Sequence, residues 1–345
     1  MTDLRLSRTF QTAPAAVPRD NTAKYLDSGL AADGFQQPDW LVPDIEDGTA
    51  PDMKDDALEN IVDRLPEADF AGEVWPRVEW SYDDERVRER GREQIETLVR
   101  EVGEHVDGVV VPKVGRCEDV ARAADVVAEA EAAHGYPEGT VELSVIVETA
   151  AAASDLRQIA AFGEESSLHG LVFGPVDYTA EIGGREIDGQ GPSYDSLLWN
   201  LSNEASANGL VAIGGPFDRL FGERAGVRYY NAEAYADQVT REARIGLDGS
   251  WSLHPKQTEQ ANRLHMPGED ELARDVRRIE EFDEAKSAGT GAVTVDGQMV
   301  DEATFKTFAN TVDTARAVYR TAPEQAETVY SESLLDRALD LDTEW

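Results

Sequence analysis

Several apolar runs of the chain end in a charged residue: Asp44-Ile-Glu-Asp47, Arg77, Lys113, Glu148 and Asp177. Glu148 closes Val141–Val147 and Asp177 closes Gly170–Val176. Two carboxylates at the ends of consecutive strands can share one hard divalent cation, with waters and substrate oxygens completing the octahedron that Mg2+ prefers. Either acid alone reads equally as a helix cap or a surface group. Asp44, Glu46 and Asp47 repel one another unless a cation or an arginine offsets them, so they suit holding metal-bound water; the alternative is simple capping. Arg77 lies in the otherwise apolar Val74-Trp-Pro-Arg-Val-Glu-Trp80, where an unpaired guanidinium is costly. It reads as a fork for a substrate carboxylate or enolate oxygen, or as a structural partner of a barrel-mouth acid. Lys113 invites a Schiff-base reading, but the neighbouring acids hold its pKa high and favour an ion pair. His254 reads as a satisfied strand-end histidine more readily than as a base.

These groups need a scaffold that brings strand ends together. Strands are predicted near Leu6–Gln11, Trp40–Ile45, Glu73–Glu79, Gly108–Val114, Val141–Thr149, Gly170–Val176, Leu210–Gly214 and Ser250–His254. Helical patterns follow them, among others at Asp55–Leu65, Asp84–Val102, Cys117–Ala133 and Ala150–Ala161. Strand and helix alternating at this spacing imply parallel strands joined by crossovers. Eight of them favour an α/β (β/α)8 TIM barrel over an open doubly wound sheet, with strand ends converging on one face.

The chain of 345 residues exceeds the roughly 250 of a plain barrel. The expected division is a catalytic barrel over residues 1–260 and a C-terminal lid extension over 261–345. The extension reads as a helix at Glu269–Ala288, a Gly-rich hinge or short hairpin to Asp301, a helix to about Arg320, and a peripheral helix in Ser331–Trp345.

With 69 acidic and 32 basic residues the net charge is −37, which repels nucleic acid and anionic membranes. A solvated acidic coat of this kind is typical of proteins from a salt-saturated cytoplasm, where the Debye length falls to about 3 Å. Cys117 is the single cysteine, so an intramolecular disulfide and a cysteine metal cluster are both excluded, and it reads as a packing residue. The histidines form no zinc-binding pattern. The N-terminus lacks a signal-peptide core and no run is long enough to span a membrane, so a cytoplasmic protein is expected.

At these residues the chain resembles the citrate lyase β-subunit-like aldolase superfamily, and within it the malyl-CoA and β-methylmalyl-CoA lyases of haloarchaeal type. The resemblance runs from about Leu4 to Tyr319. It is carried by Arg8 with Pro14, Asp44-Ile-Glu-Asp47, Arg77-Val78, Pro112-Lys-Val114, Val147-Glu-Thr149, Phe173-Gly-Pro-Val-Asp177, His254-Pro-Lys-Gln257 and Asp296-Gly-Gln-Met-Val-Asp301. It implies Mg2+- or Mn2+-dependent cleavage of β-methylmalyl-CoA to propionyl-CoA and glyoxylate, and of malyl-CoA to acetyl-CoA and glyoxylate, a step that fits glyoxylate-producing acetate assimilation.

The resemblance assigns metal ligation to Glu148 and Asp177, and carboxylate binding to Arg77. Asp301 becomes an acid that a C-terminal lid inserts into a neighbouring subunit's site, in a homo-oligomeric trimer or hexamer. Glu46 and Asp47 join Arg77 and Asp301 as expected catalytic groups, and the pKa of Asp301 is expected to rise when the lid excludes water. The first strand departs from the family's Arg-Ser-Leu-Leu-Phe-Val-Pro, reading Arg8-Thr-Phe-Gln-Thr-Ala-Pro14. The basic groups that could meet the coenzyme phosphates are Arg8, Arg19, Lys24 and Arg116. Citramalyl-CoA or citryl-thioester cleavage shares these motifs, a malate synthase would add thioester hydrolysis, and a non-catalytic assembly subunit is the reading from another class.

Overall fold

The Val- and Ile-rich runs form strands buried on both faces, as parallel strands covered by helices must be. The computed structural model describes residues 5–19, 22–186, 192–224 and 226–343. It divides into two compact units, Ser7–Asn262 and a second that joins Arg5 and Leu6 with the chain from Arg263 onward. In the first, β1 (Thr9–Pro14), β2 (Trp40–Asp44), β3 (Glu73–Val74), β4 (Gly108–Val111), β5 (Glu142–Val147), β6 (Leu168–Phe173) and β7 (Val211–Ile213) precede an antiparallel hairpin of β8 (Phe221–Arg224) and β9 (Val227–Tyr230); β10 (Ser250–Ser252) follows. The ladders run β10-β1-β2-β3 and β4-β5-β6-β7, all parallel. Bridges Arg77↔Val110 and Ile213↔Gly249 close them into one ring of eight. The fold is therefore a (β/α)8 barrel.

Inward residues alternate along the strands and fill the barrel: Phe10, Trp40, Val42, Trp75, Val110, Ile146, Val172, Ile213 and Trp251. The rings of Trp40 and Trp75 stack at 4.2 Å. Outward faces pack against helices such as Lys54–Arg64, Glu85–Val102, Cys117–His134 and Ala150–Phe162.

Three strand expectations shift. β1 begins at Thr9 rather than Leu6 and ends at Pro14, whose partner is Asp44. β3 is formally short because Pro76 has no N–H to donate, yet the ladder continues, with Arg77 N donating to Pro43 O and Val78 N to Val110 O. β6 stops at Phe173, since Pro175 opens a helix, Pro175–Glu181, and fits its first turn. Asp177 thus sits in a helical first turn and not on a strand.

Glu242, on the helix Ala232–Arg244, lies wholly buried behind the barrel wall. Ser250 Oγ donates to it, Gln238 Nε2 donates at 3.0 Å, and a Cβ on Gly214 would stand 2.2 Å from its carboxyl carbon. Burial pushes its pKa up to about 8. A folded-state pKa raised above the unfolded value contributes stability below about pH 4.5 that is lost as pH rises through about 8. Glu242→Gln keeps the shape and removes the titration. Its unfolding free energy between pH 5 and pH 8 should fall less than that of the unsubstituted chain, by about 2–4 kcal/mol, measured by denaturant titration at each pH.

The second unit pairs helix Glu269–Ser287 with helix Glu302–Thr321 across a core containing Phe282 and Phe305, 5.8 Å apart. Between them the Gly-rich segment forms a hairpin, β11 (Val293–Val295) and β12 (Gln298–Val300). Its turn residues Asp296 and Gly297 take φ of 50° and 81°, the left-handed pair that a tight hairpin requires. The tail contains helix Glu332–Asp340, whose Ala338 carbonyl accepts from Arg316 Nε at 2.8 Å. Glu344 and Trp345 lie outside the described residues. Among the described residues no helix is long and apolar enough to cross a membrane.

Candidate active site

The carboxyl ends of β2, β3, β4, β5 and β6 carry the site. Arg77 is buried, and Asp44 grips one edge of its guanidinium, Nε to Oδ1 at 2.7 Å and Nη2 to Oδ2 at 2.5 Å. The Asp44 carboxylate also accepts from the backbone N–H groups of Glu46 and Gly48, at 2.9 and 2.7 Å, and so is itself held still. Arg77 Nη1 stands 3.3 Å from Glu46 Oε2, and the guanidinium lies 5.6 Å from the Trp251 ring centroid. Burial acts against the cation, but Asp44 foremost and then Glu46 and Glu148 outweigh it and raise the Arg77 pKa. The structure bears out the ion-pair reading of Arg77: Asp44 fixes one edge of the fork, and Nη1 faces Glu46 on the other.

Lys113, just past β4, takes φ +48°. Its ammonium bridges Glu46 and Asp47, 2.8 Å from Asp47 Oδ2. Burial opposes the charge, but Glu46 and Asp47 raise the Lys113 pKa, which disfavours a Schiff-base amine. Its backbone N–H donates to Glu148 Oε1 at 2.8 Å. Burial raises the Glu46 carboxyl despite Arg77 and Lys113, whereas Asp47, although burial acts the other way, is lowered by its hydrogen bond from Lys113.

Glu148 follows β5 directly and is buried. Thr149 caps the next helix, accepting from Ala152 N at 2.9 Å while donating to Val114 O at 2.7 Å, and this fixes where Glu148 points. Burial, then the charges of Asp177 and Glu46, push the Glu148 pKa up to about 8. Gly174 makes the room: a Cβ there would stand 2.3 Å from Glu148 Oε2. A buried carboxyl raised by a second carboxylate, in a cradle that only glycine leaves open, fits a divalent cation held by Glu148 and Asp177 with waters or substrate oxygens in its other positions. Gly174 belongs to the Phe173-Gly-Pro-Val-Asp177 motif, but nothing in the sequence marks it as the residue that leaves room for Glu148.

The remaining expected groups separate. Arg8 is buried at the amino end of β1, where Asp39 takes its Nε at 2.9 Å and Nη2 at 2.8 Å, so the expectation that it binds coenzyme is corrected. The mouth lies at the other end of that strand. Arg19 and Lys24 are exposed on the segment after β1, on the mouth side. Arg116 is exposed, 3.6 Å from Asp155. His254 Nδ1 accepts from Lys256 N at 3.1 Å, and burial with the Lys256 charge lowers its pKa. Cys117 is partly buried against the core, and burial pushes its thiol up.

Asp301 belongs to the second unit, where it caps helix Glu302–Thr321 by accepting from Thr304 N at 3.0 Å. With Asp301 open to solvent, that amide holds its carboxyl below the usual range, because the hydrogen bond favours the charged form; the rise expected on lid closure concerns a state in which water is excluded.

Similarity to known proteins bears on this site. The chain is 64% identical over 98% of its length, and 98% of the relative's, to the L-malyl-CoA/beta-methylmalyl-CoA lyase of Haloarcula marismortui. It is 36% identical to the malate synthase of Haloferax volcanii, over 77% of this chain and 62% of that protein. The solved magnesium/glyoxylate complex of Haloferax volcanii malate synthase superposes with a TM-score of 0.71 at 29% identity, over 99% of this chain and all of that one. Residues 30–255 match the HpcH/HpaI aldolase/citrate lyase family model, a span containing Arg77, Lys113, Glu148 and Asp177, and the chain belongs to that family.

Proposed function

We propose that the protein is a Mg2+- or Mn2+-dependent carbon-carbon lyase that cleaves β-methylmalyl-CoA to propionyl-CoA and glyoxylate, and malyl-CoA to acetyl-CoA and glyoxylate. The observation that carries this reading is the 64% identity to a lyase named for both substrates, spread over 98% of the chain. A divalent cation between Glu148 and Asp177 would supply a Lewis acid for the hydroxyl and carbonyl oxygens of the substrate.

Arg77, locked by Asp44, offers its Nη1 side to the carboxylate that leaves as glyoxylate and opposes charge developing on the neighbouring oxygen. When the bond between the hydroxyl-bearing carbon and the α-carbon breaks, the hydroxyl passes its proton to solvent water as its oxygen becomes the glyoxylate carbonyl, and the electron pair of the broken bond passes into the thioester enolate. Asp301 is the group assigned to protonate that enolate at the α-carbon. In the condensation direction it removes the same proton, a task that needs the carboxylate its capping amide favours. Arg19 and Lys24, exposed beyond β1, are assigned to the coenzyme phosphates. Asp301 is assigned to a neighbouring subunit's site, in a homo-oligomer.

Malate synthase activity is the second reading, favoured by the 36% identical relative. Incubation with acetyl-CoA or propionyl-CoA, glyoxylate and Mg2+ separates the two. A lyase accumulates malyl-CoA or β-methylmalyl-CoA without releasing thiol. Stoichiometric free CoA would overturn the lyase reading in favour of the synthase. Discrimination by one methyl group in an apolar pocket amounts to about 1–3 kcal/mol, so both acyl chains are expected to react.

A further inference from the structure

Lys113 touches Glu46, Asp47 and Glu148 at once. Its φ of +48° costs an ordinary residue about 1 kcal/mol, and such a conformation persists where the surroundings hold it on both sides. Here they do: the N–H donates to Glu148 Oε1 at 2.8 Å and the carbonyl accepts from Tyr82 N at 3.1 Å. A glycine would adopt this turn without strain, but it has no ammonium. The ammonium is bound to both Glu46 and Asp47.

The charge of Glu46 already reaches Glu148. A cation held by Glu148 and Asp177 would attract any further carboxylate within reach. Each additional protein oxygen would occupy a coordination position that the substrate hydroxyl and carboxylate need.

We propose that Lys113 is a positioning residue: its left-handed backbone aims an amide at Glu148, and its ammonium keeps Glu46 and Asp47 from joining Glu148 and Asp177 as cation ligands. This rests on the metal-dependent lyase reading above. It has a signature that a merely structural role lacks, because removing the ammonium should tighten cation binding while slowing turnover.

The test is a Mn2+ titration of the full chain in molar KCl, following the free ion by electron paramagnetic resonance, alongside kcat and KM for β-methylmalyl-CoA. Lys113→Met should bind Mn2+ about threefold to tenfold more tightly, from the loss of one nearby positive charge and the gain of a ligand. Its kcat should fall at least about tenfold with little change in KM. Lys113→Arg, which keeps the cation, should recover most of both. Mn2+ affinity in Lys113→Met equal to or weaker than that of the unsubstituted chain would overturn the proposal.

Should Lys113→Met fail to fold, the same change is made together with Glu46→Gln and Asp47→Asn. Its Mn2+ affinity should then lie within about threefold of the Glu46→Gln/Asp47→Asn chain, and a tenfold or larger difference would count against the proposal. Absence of Mn2+ binding by the unsubstituted chain would refute the metal-dependent reading itself.

Discussion

Glu148→Gln is expected to lose saturable Mn2+ binding and to lower kcat/KM at least about 10³-fold, while the metal-free protein melts no lower than the unsubstituted one. The loss follows from removing one of two carboxylates proposed to hold the cation, whose charge stabilisation is worth several kcal/mol. Retained stability follows from the environment. Without a cation the Glu148 carboxyl, raised to about 8 by burial and by Asp177 and Glu46, is mostly protonated at pH 7, so a glutamine of the same shape forgoes little. The same shift sets the pH dependence of metal binding. A cation must displace the proton from Glu148, so Mn2+ affinity should weaken by up to about tenfold per unit as pH falls below 8. Glu148→Gln with full metal-dependent activity would remove the site assignment.

Asp301→Asn should reduce kcat by about 10²–10⁴-fold with an unchanged melting temperature. Asparagine caps a helix about as well as aspartate, so the bond from Thr304 N is kept and only the ionisable oxygen is lost. If Asp301 serves a neighbouring subunit's site, oligomers reassembled from Glu148→Gln and Asp301→Asn chains should regain activity, because some sites combine an intact Glu148 with an intact Asp301. Random mixing of equal amounts leaves about one site in four complete. Recovery absent from such mixtures, or an active species eluting as a monomer, would defeat the shared site. Full activity in Asp301→Asn would remove the residue from the chemistry and leave it as a helix cap.

Much of the architecture was legible because the informative patterns are local. Eight short β-branched runs separated by helical stretches named the barrel, and the helices at Glu85–Val102, Cys117–His134 and Ala150–Phe162 begin and end close to their predicted limits. The reading of residues 289–301 left hinge and hairpin open, and Asp296-Gly297 resolves it through its two positive φ values. The hairpin Phe221–Tyr230 lies outside the strands expected from sequence, since it occupies a strand-to-helix connection and is largely exposed rather than alternating.

Composition, chain order and the charged residues ending apolar runs therefore determined the fold class, the family resemblance and the acids and bases worth considering. Which end of a strand a residue occupies was decided only in three dimensions, because register is set by pairing with strands distant in sequence. A three-residue displacement of β1 leaves Arg8 at the amino end, tied to Asp39, instead of at the mouth. The same non-local pairing clamps Arg77 with Asp44 and leans the Lys113 amide on Glu148 across 35 positions of chain. Proton affinity was likewise beyond the sequence. Glu148 and Glu242 titrate near 8 because packing takes water from them, and burial of that kind belongs to the assembled barrel.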